Sequence, residues 1–130
     1  MISTQRHTVA RTGNAFVPLG AVAKHIANGT TPMADSITTL DAELSRMQIA
    51  SERWVTCKRS TYGQFSMTWD LGYACLDGRW GITLRVVRSD GADATDRSVE
   101  SWPFEQSPPY LRRRAVTQLP NLLDALARSA

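Results

Sequence analysis

Three consecutive arginines, Arg112 to Arg114, form the densest charge in the chain. On a helix that advances 100° per residue, Arg113 and Arg114 fall on the polar side, whereas Arg112 falls among apolar side chains. A guanidinium there must reach solvent or find an acceptor, and the carboxylates of Glu100 and Glu105 lie shortly before it in the sequence. We therefore expect Arg112 to pair with one of these carboxylates. An anion-binding pocket is the functional alternative.

Enzyme and metal-site motifs are missing from the rest of the sequence. There is no phosphate-binding glycine loop, no Gly-x-Ser-x-Gly turn and no His-Glu-x-x-His pair. His7 and His25 are the two histidines, and neither has a ligand-like spacing from Cys57 or Cys75. We predict a protein without enzymatic activity and expect no catalytic residue, cofactor or metal.

The dipeptide Asp77-Gly78 lies between two alternating apolar runs, which is typical of a β-hairpin with a two-residue turn. A turn at this position fixes the register and places large apolar residues on one face. These pairs are Trp69 with Val86, Leu71 with Leu84, Tyr73 with Ile82 and Cys75 with Trp80. The other face has small or oppositely charged pairs, which suit a solvated or loosely covered surface. Its pairs are Asp70 with Arg85, Gly72 with Thr83 and Ala74 with Gly81.

Two helices are predicted before the hairpin. The first begins at Pro18 and ends at Asn28-Gly29. The second begins near Ser36, and its apolar spacing of three, four or seven residues predicts an amphipathic helix of about five turns. Its apolar residues are Ile37, Leu40, Leu44, Met47 and Trp54. The apolar seam is narrow, which leaves two alternatives open: packing on the hairpin of the same domain, or contact with a second copy in a homodimer.

A third strand and a C-terminal helix are predicted after the hairpin. The strand covers residues 97–104 and lies at a sheet edge, because Pro103 has no amide proton to donate. The helix begins at Pro108, and Pro120 either kinks it or divides it into two short helices. The predicted fold class is α+β, a three-stranded antiparallel meander with helices packed mainly on one face. We assign residues 16–130 to this single domain and residues 1–15 to a flexible N-terminal arm.

Composition and charge distribution indicate the cellular location of the protein and the segment that gives it a net positive charge. No apolar run approaches the ~20 residues that span a bilayer, and the start lacks the apolar core of a secretory signal, so we expect a cytoplasmic protein with no membrane partner. The net charge of +3 arises from residues 1–34, which contain Arg6, Arg11 and Lys24 and no acidic residue. This basic segment is too sparse to be a dedicated nucleic-acid tail.

The predicted function is a non-enzymatic interaction domain, an adaptor or inhibitory protein that acts on a larger protein partner. The small residues of the second sheet face could admit another backbone or helix, and Trp102 is the tryptophan expected to be partly exposed. The candidate interaction residues are Asp70, Thr83, Arg85, Trp102 and Arg112. The alternative function is nucleic-acid binding through phosphate contacts of the basic arm and the helix arginines. Its candidate residues are Arg6, Arg11, Lys24, Lys58, Arg59, Arg113 and Arg114.

Overall fold

A computed structural model describes residues 16–29, 33–91 and 97–129. The predicted arm, with Arg6 and Arg11, lies outside the described residues. Helix α1 covers residues 16–27 and is followed by Gly29, whose φ of 73° is the left-handed conformation that commonly ends a helix. The remaining elements are helix α2 (Met33–Arg46), strands β1 (Arg53–Tyr62), β2 (Phe65–Leu76), β3 (Arg79–Asp90) and β4 (Arg97–Pro103), and helices α3 (Pro109–Ala115) and α4 (Leu119–Ser129).

The strands form one antiparallel sheet in the order β1-β2-β3-β4. Asp77 and Gly78 have φ of 51° and 80°, so both adopt the left-handed conformation that a tight two-residue hairpin turn requires. Every cross-strand pair predicted for this hairpin is confirmed, from Trp69 with Val86 to Cys75 with Trp80. The turn residues and the apolar alternation therefore determine the register between β2 and β3, the two central strands of the sheet.

The α+β class is confirmed, but the sheet has four strands rather than three. The prediction of a helix that continues to Trp54 is wrong, because α2 ends at Arg46 and Trp54 belongs to β1. Gln48, with φ of 54°, lies just after the helix end, and aromatic and β-branched residues follow it. A register shift between Thr56 and Lys58 interrupts the alternation of β1, which hides this strand from a search for period two.

The C-terminal region consists of two short helices, the second of the two alternatives predicted. A single 3₁₀ turn, Val116–Gln118, joins α3 to α4. Pro120 is the second residue of α4, where the missing amide proton has no partner to lose within the helix. Within the described ranges, no helix is long and apolar enough to cross a membrane.

Helices cover one face of the sheet, which we call the inner face, and the opposite face is the outer face. Leu71, Tyr73, Ile82, Leu84 and Val86 point inward and form one apolar cluster with buried residues of all four helices. The helical members are Phe16, Leu19, Ala23, Ile26, Ile37, Leu40, Leu44, Leu111, Ala115, Leu119, Leu122, Leu123 and Leu126. The seam of α2 is therefore buried in the core of its own domain.

The centre of the outer face is closed rather than solvated as predicted. Asp70 and Thr83 are only 5% and 2% exposed, and Ala74 is buried as well. The indole ring of Trp54 lies directly on Gly72, so a β-carbon at position 72 would come within 2.5 Å of Cδ2 of that ring. The slot that the small residues predicted for a partner is occupied by a side chain of β1.

Candidate functional site

Two of the predicted interaction residues, Asp70 and Arg85, form an ion pair on the outer face. Arg85 Nε donates to Asp70 Oδ2 at 2.8 Å, and the guanidinium carbon lies 3.8 Å from the ring centre of Trp54. Thr83 is next on this face of β3, and its hydroxyl donates to the carbonyl of Gly81 at 3.0 Å. These contacts join β1, β2 and β3. Asp70, Thr83 and Arg85 therefore have structural partners of their own.

Arg112 has a different partner from the one predicted. Its guanidinium donates to the backbone carbonyl of Ser107 and, at 3.2 Å, to that of Glu105. Oε2 of Glu100 lies 3.7 Å from Nη1 of Arg88 instead. The prediction of a carboxylate pair is wrong because the turn before α3 directs free carbonyls, which are acceptors that sequence does not display, toward the helix. Arg112 still ties that turn to α3.

Trp102 pairs with Leu84 across β4 and β3 and is partly buried against the core. The aromatic residues that are far more exposed are Tyr62 and Tyr110, and neither is among the predicted interaction residues. Tyr110 lies in the first turn of α3 and Tyr62 ends β1.

The inner face continues past the helical layer as a stripe of large apolar side chains. Residues of β2 alternate between faces, so Trp69, Met67 and Phe65 lie in a row on the inner side. Tyr62 of β1 is the cross-strand partner of Phe65, and Lys58 is that of Trp69. We call Tyr62, Phe65, Met67 and Trp69 the aromatic stripe.

A groove of about 160 Å³ opens at the helical end of the aromatic stripe. Lys58, Trp69, Tyr110, Leu111 and Arg114 line it, and we call it the basic groove. Lys58 Nζ lies 5.2 Å from the ring centre of Trp69, within cation–π range. Lys58 and Arg114 are both exposed, and no carboxylate lines the basic groove. The groove can therefore hold an apolar group together with a negative charge.

The cations proposed for nucleic-acid binding are dispersed over the described part of the chain. Lys58 and Arg114 share the basic groove, but Arg59 pairs with Thr68 and so projects from the outer face. Lys24 is exposed on α1, and Arg113 is exposed on α3. Binding along a nucleic-acid backbone needs several cations on one surface, whereas only Lys58 and Arg114 of the described candidate residues share a site.

A larger cavity, of about 260 Å³, lies where β3 extends beyond the end of β4. Asp41 of α2 reaches into it and accepts a hydrogen bond from the backbone N–H of Ile82 at 2.7 Å. Burial raises the pKa of Asp41 to about 6, and the negative charge of Glu105 acts in the same direction. Asp41 thus satisfies the open edge of β3 at the cost of burying its charge. Among the described residues, no group of three His, Cys, Asp or Glu side chains is placed to hold a metal ion.

The aromatic stripe and the basic groove are continuous through Trp69, and together we call them the docking surface. No protein-family model, curated protein or solved structure matches this chain. The alternation of Phe65, Met67 and Trp69 was visible in the sequence, but the place of Tyr110 beside them depends on how α3 packs.

Proposed function

We propose that this protein is a non-enzymatic interaction domain that binds a larger partner protein through the docking surface. The observation that supports this most strongly is that exposed aromatic residues lie at both ends of a row whose middle members, Met67 and Trp69, are partly buried. Tyr62, Tyr110 and Phe65 are 73%, 68% and 36% exposed. Isolated exposed apolar residues, such as Val17 and Val99, are ordinary, but a contiguous aromatic surface beside polar residues is typical of a protein interaction site.

The size of the exposed surface fits a reversible interaction. An aromatic side chain has about 150–250 Å² to bury, and burial contributes about 25 cal/mol per Å². The exposed parts of Tyr62 and Tyr110 alone therefore represent on the order of 5 kcal/mol before the entropic cost of association. Tyr and Trp are also the residues on which binding energy concentrates in protein interfaces.

One observation favours nucleic-acid binding as a second candidate. The basic groove combines Lys58 and Arg114 with the rings of Trp69 and Tyr110, and such a set could contact a phosphate while a base stacks on an aromatic ring. This reading uses a short part of the docking surface and leaves the exposed Tyr62 and Phe65 without a role.

A pull-down from native lysate with matched variants tests the proposal. The test variant carries Phe65→Ser and Tyr110→Ser, and the control carries Val17→Ser and Val99→Ser at exposed apolar positions outside the surface. We expect the natural chain and the control to retain a stoichiometric, nuclease-resistant protein that the test variant loses. Circular dichroism checks that both variants fold.

Two results would reject this proposal. If the test variant retains the partner as well as the control does, the docking surface is not used. If nuclease removes the bound material and moderate salt elutes it, the nucleic-acid candidate replaces the protein candidate, because phosphate contacts weaken steeply with salt.

A further inference from the structure

The docking surface has opposite charges at its two ends. Lys58 and Arg114 lie at the groove end and are exposed. Between the two ends, Arg88 of β3 is the cross-strand partner of Met67, and its Nη1 lies 3.7 Å from Oε2 of Glu100 in an ion pair. At the far end, Asp90 of β3 is the cross-strand partner of Phe65 and is also exposed. An occupant with negative charge at one end would be held in one direction, because interfaces place opposite charges together and penalise like ones.

The edge of the sheet beside this surface is poorly suited to an added strand. β1 is an edge strand, and the register shift between Thr56 and Lys58 disturbs the row of backbone groups that a new strand would pair with. Lys58 and Arg59 follow the shift with two charged side chains. Bulges and charges of this kind are the usual features that prevent strand addition at an edge.

The dimensions of the surface instead match a helix. The layer that covers the other half of the inner face consists of helices, so a helix beside α3 would continue an existing packing arrangement. Phe65 and Trp69 are four residues apart on one strand, which corresponds to roughly 13 Å. That length is roughly two and a half helical turns, enough for apolar residues at positions i, i+4 and i+7.

Three acidic or terminal segments of the chain itself do not combine the required charge with apolar side chains. Residues 90–96 contain three aspartates but no large apolar residue. Residues 1–15 contain Arg6 and Arg11 and no acidic residue, so they do not complement the basic groove. Helix α2 carries Asp35 and Glu43, but its apolar side chains are buried in the core. Charge and burial therefore argue against both the N-terminal segment and a second copy as the occupant.

We propose that the docking surface binds an acidic amphipathic helix of the partner protein, with its apolar face on the aromatic stripe and its carboxylates over Lys58 and Arg114. This inference rests on the proposed function and specifies the partner. The helix lies beside α3, and its less acidic end is near Asp90, at the turn that joins β1 to β2.

Site-specific crosslinking with charge exchange tests this inference in the full-length chain. Tyr110 is replaced by p-benzoylphenylalanine, which keeps an aromatic ring in the groove, and the crosslinked peptide is identified by mass spectrometry. A second chain adds Lys58→Glu and Arg114→Glu. The matched control adds Lys24→Glu and Arg97→Glu, which make the same change of charge at exposed positions away from the surface.

We expect the crosslinked peptide to be an acidic segment with apolar residues at helical spacing. Its yield should fall at least about tenfold with the charge exchange in the groove and stay unchanged in the control. A basic, neutral or extended segment, or a yield that is indifferent to the exchange, overturns the inference and leaves the proposed function intact. Crosslinks only to nucleic acid, to a second copy or to nothing overturn both.

Discussion

Replacing Asp41 with asparagine should stabilise the protein at neutral pH. Asn Oδ1 can still accept the hydrogen bond that Ile82 N–H donates to Asp41 Oδ1, but asparagine brings no charge into the cavity. Burial raises the pKa of Asp41 from its ordinary value of 3.8 to about 6. This rise corresponds to about 3 kcal/mol, and since the side chain keeps some contact with solvent through the cavity, we expect a net gain of about 1–2 kcal/mol.

The gain must depend on pH in a defined direction. Between about pH 4 and pH 6 the native state keeps a proton on Asp41 that the unfolded state has lost, so the free energy of unfolding falls as the pH rises through this window. Below the window both states are protonated and the penalty vanishes. The advantage of Asp41→Asn should therefore be small near pH 4, absent below about pH 3 and complete above about pH 7.

Urea denaturation at several pH values measures this difference. Asp124→Asn, at an exposed position on α4, provides the control for loss of a carboxylate elsewhere. The reasoning fails if Asp41→Asn destabilises the protein at neutral pH, because the charge-assisted hydrogen bond to Ile82 would then outweigh the cost of burying the charge. A gain that does not change with pH would equally reject titration of Asp41 as its cause.

Two further substitutions test contacts that hold the sheet and α3. Gly72→Ala should lower the free energy of unfolding by about 1–3 kcal/mol, because the new methyl group meets the Trp54 ring. Gly20→Ala, where no atom lies within 4 Å, should instead raise it by about 0.5–1 kcal/mol. Arg112→Met should lower the free energy of unfolding by about 1–3 kcal/mol, because it removes both hydrogen bonds to carbonyls. Arg113→Met should lower it by less than about 0.5 kcal/mol. Thermal unfolding measures both changes, and equal effects would show that the two carbonyl contacts contribute nothing.

The central hairpin was predictable because its information is local. Asp77 and Gly78 can both adopt positive φ, and a slip of one residue would turn the large apolar side chains to the wrong face. Pro120 likewise predicted an interruption of the C-terminal helix, since the lost amide proton is a property of that residue, but it left a kink and two short helices as alternatives.

Strand β1 was missed because its tryptophan falls at a spacing that also continues the apolar pattern of helix α2. Trp54 lies seven residues after Met47, which fits a helical seam, and nothing in that spacing reveals that α2 has ended at Arg46. The helical projection of Arg112 showed that the guanidinium needs an acceptor, but carbonyls and carboxylates are equally good acceptors. The sequence shows where carboxylates are but not which backbone carbonyls are accessible, so it predicted the wrong acceptor for Arg112.

The unpredicted strand also changes which face of the sheet is available to a partner. With three strands, the small residues around Gly72 form an open slot on the outer face, which is where sequence placed the interaction surface. With four strands, Trp54 fills that slot and stacks on Arg85. The fourth strand also widens the inner face, because β1 adds Lys58 beside the partly buried Trp69 and Tyr62 beside the exposed Phe65. A single strand thus closes one face and creates the docking surface on the other.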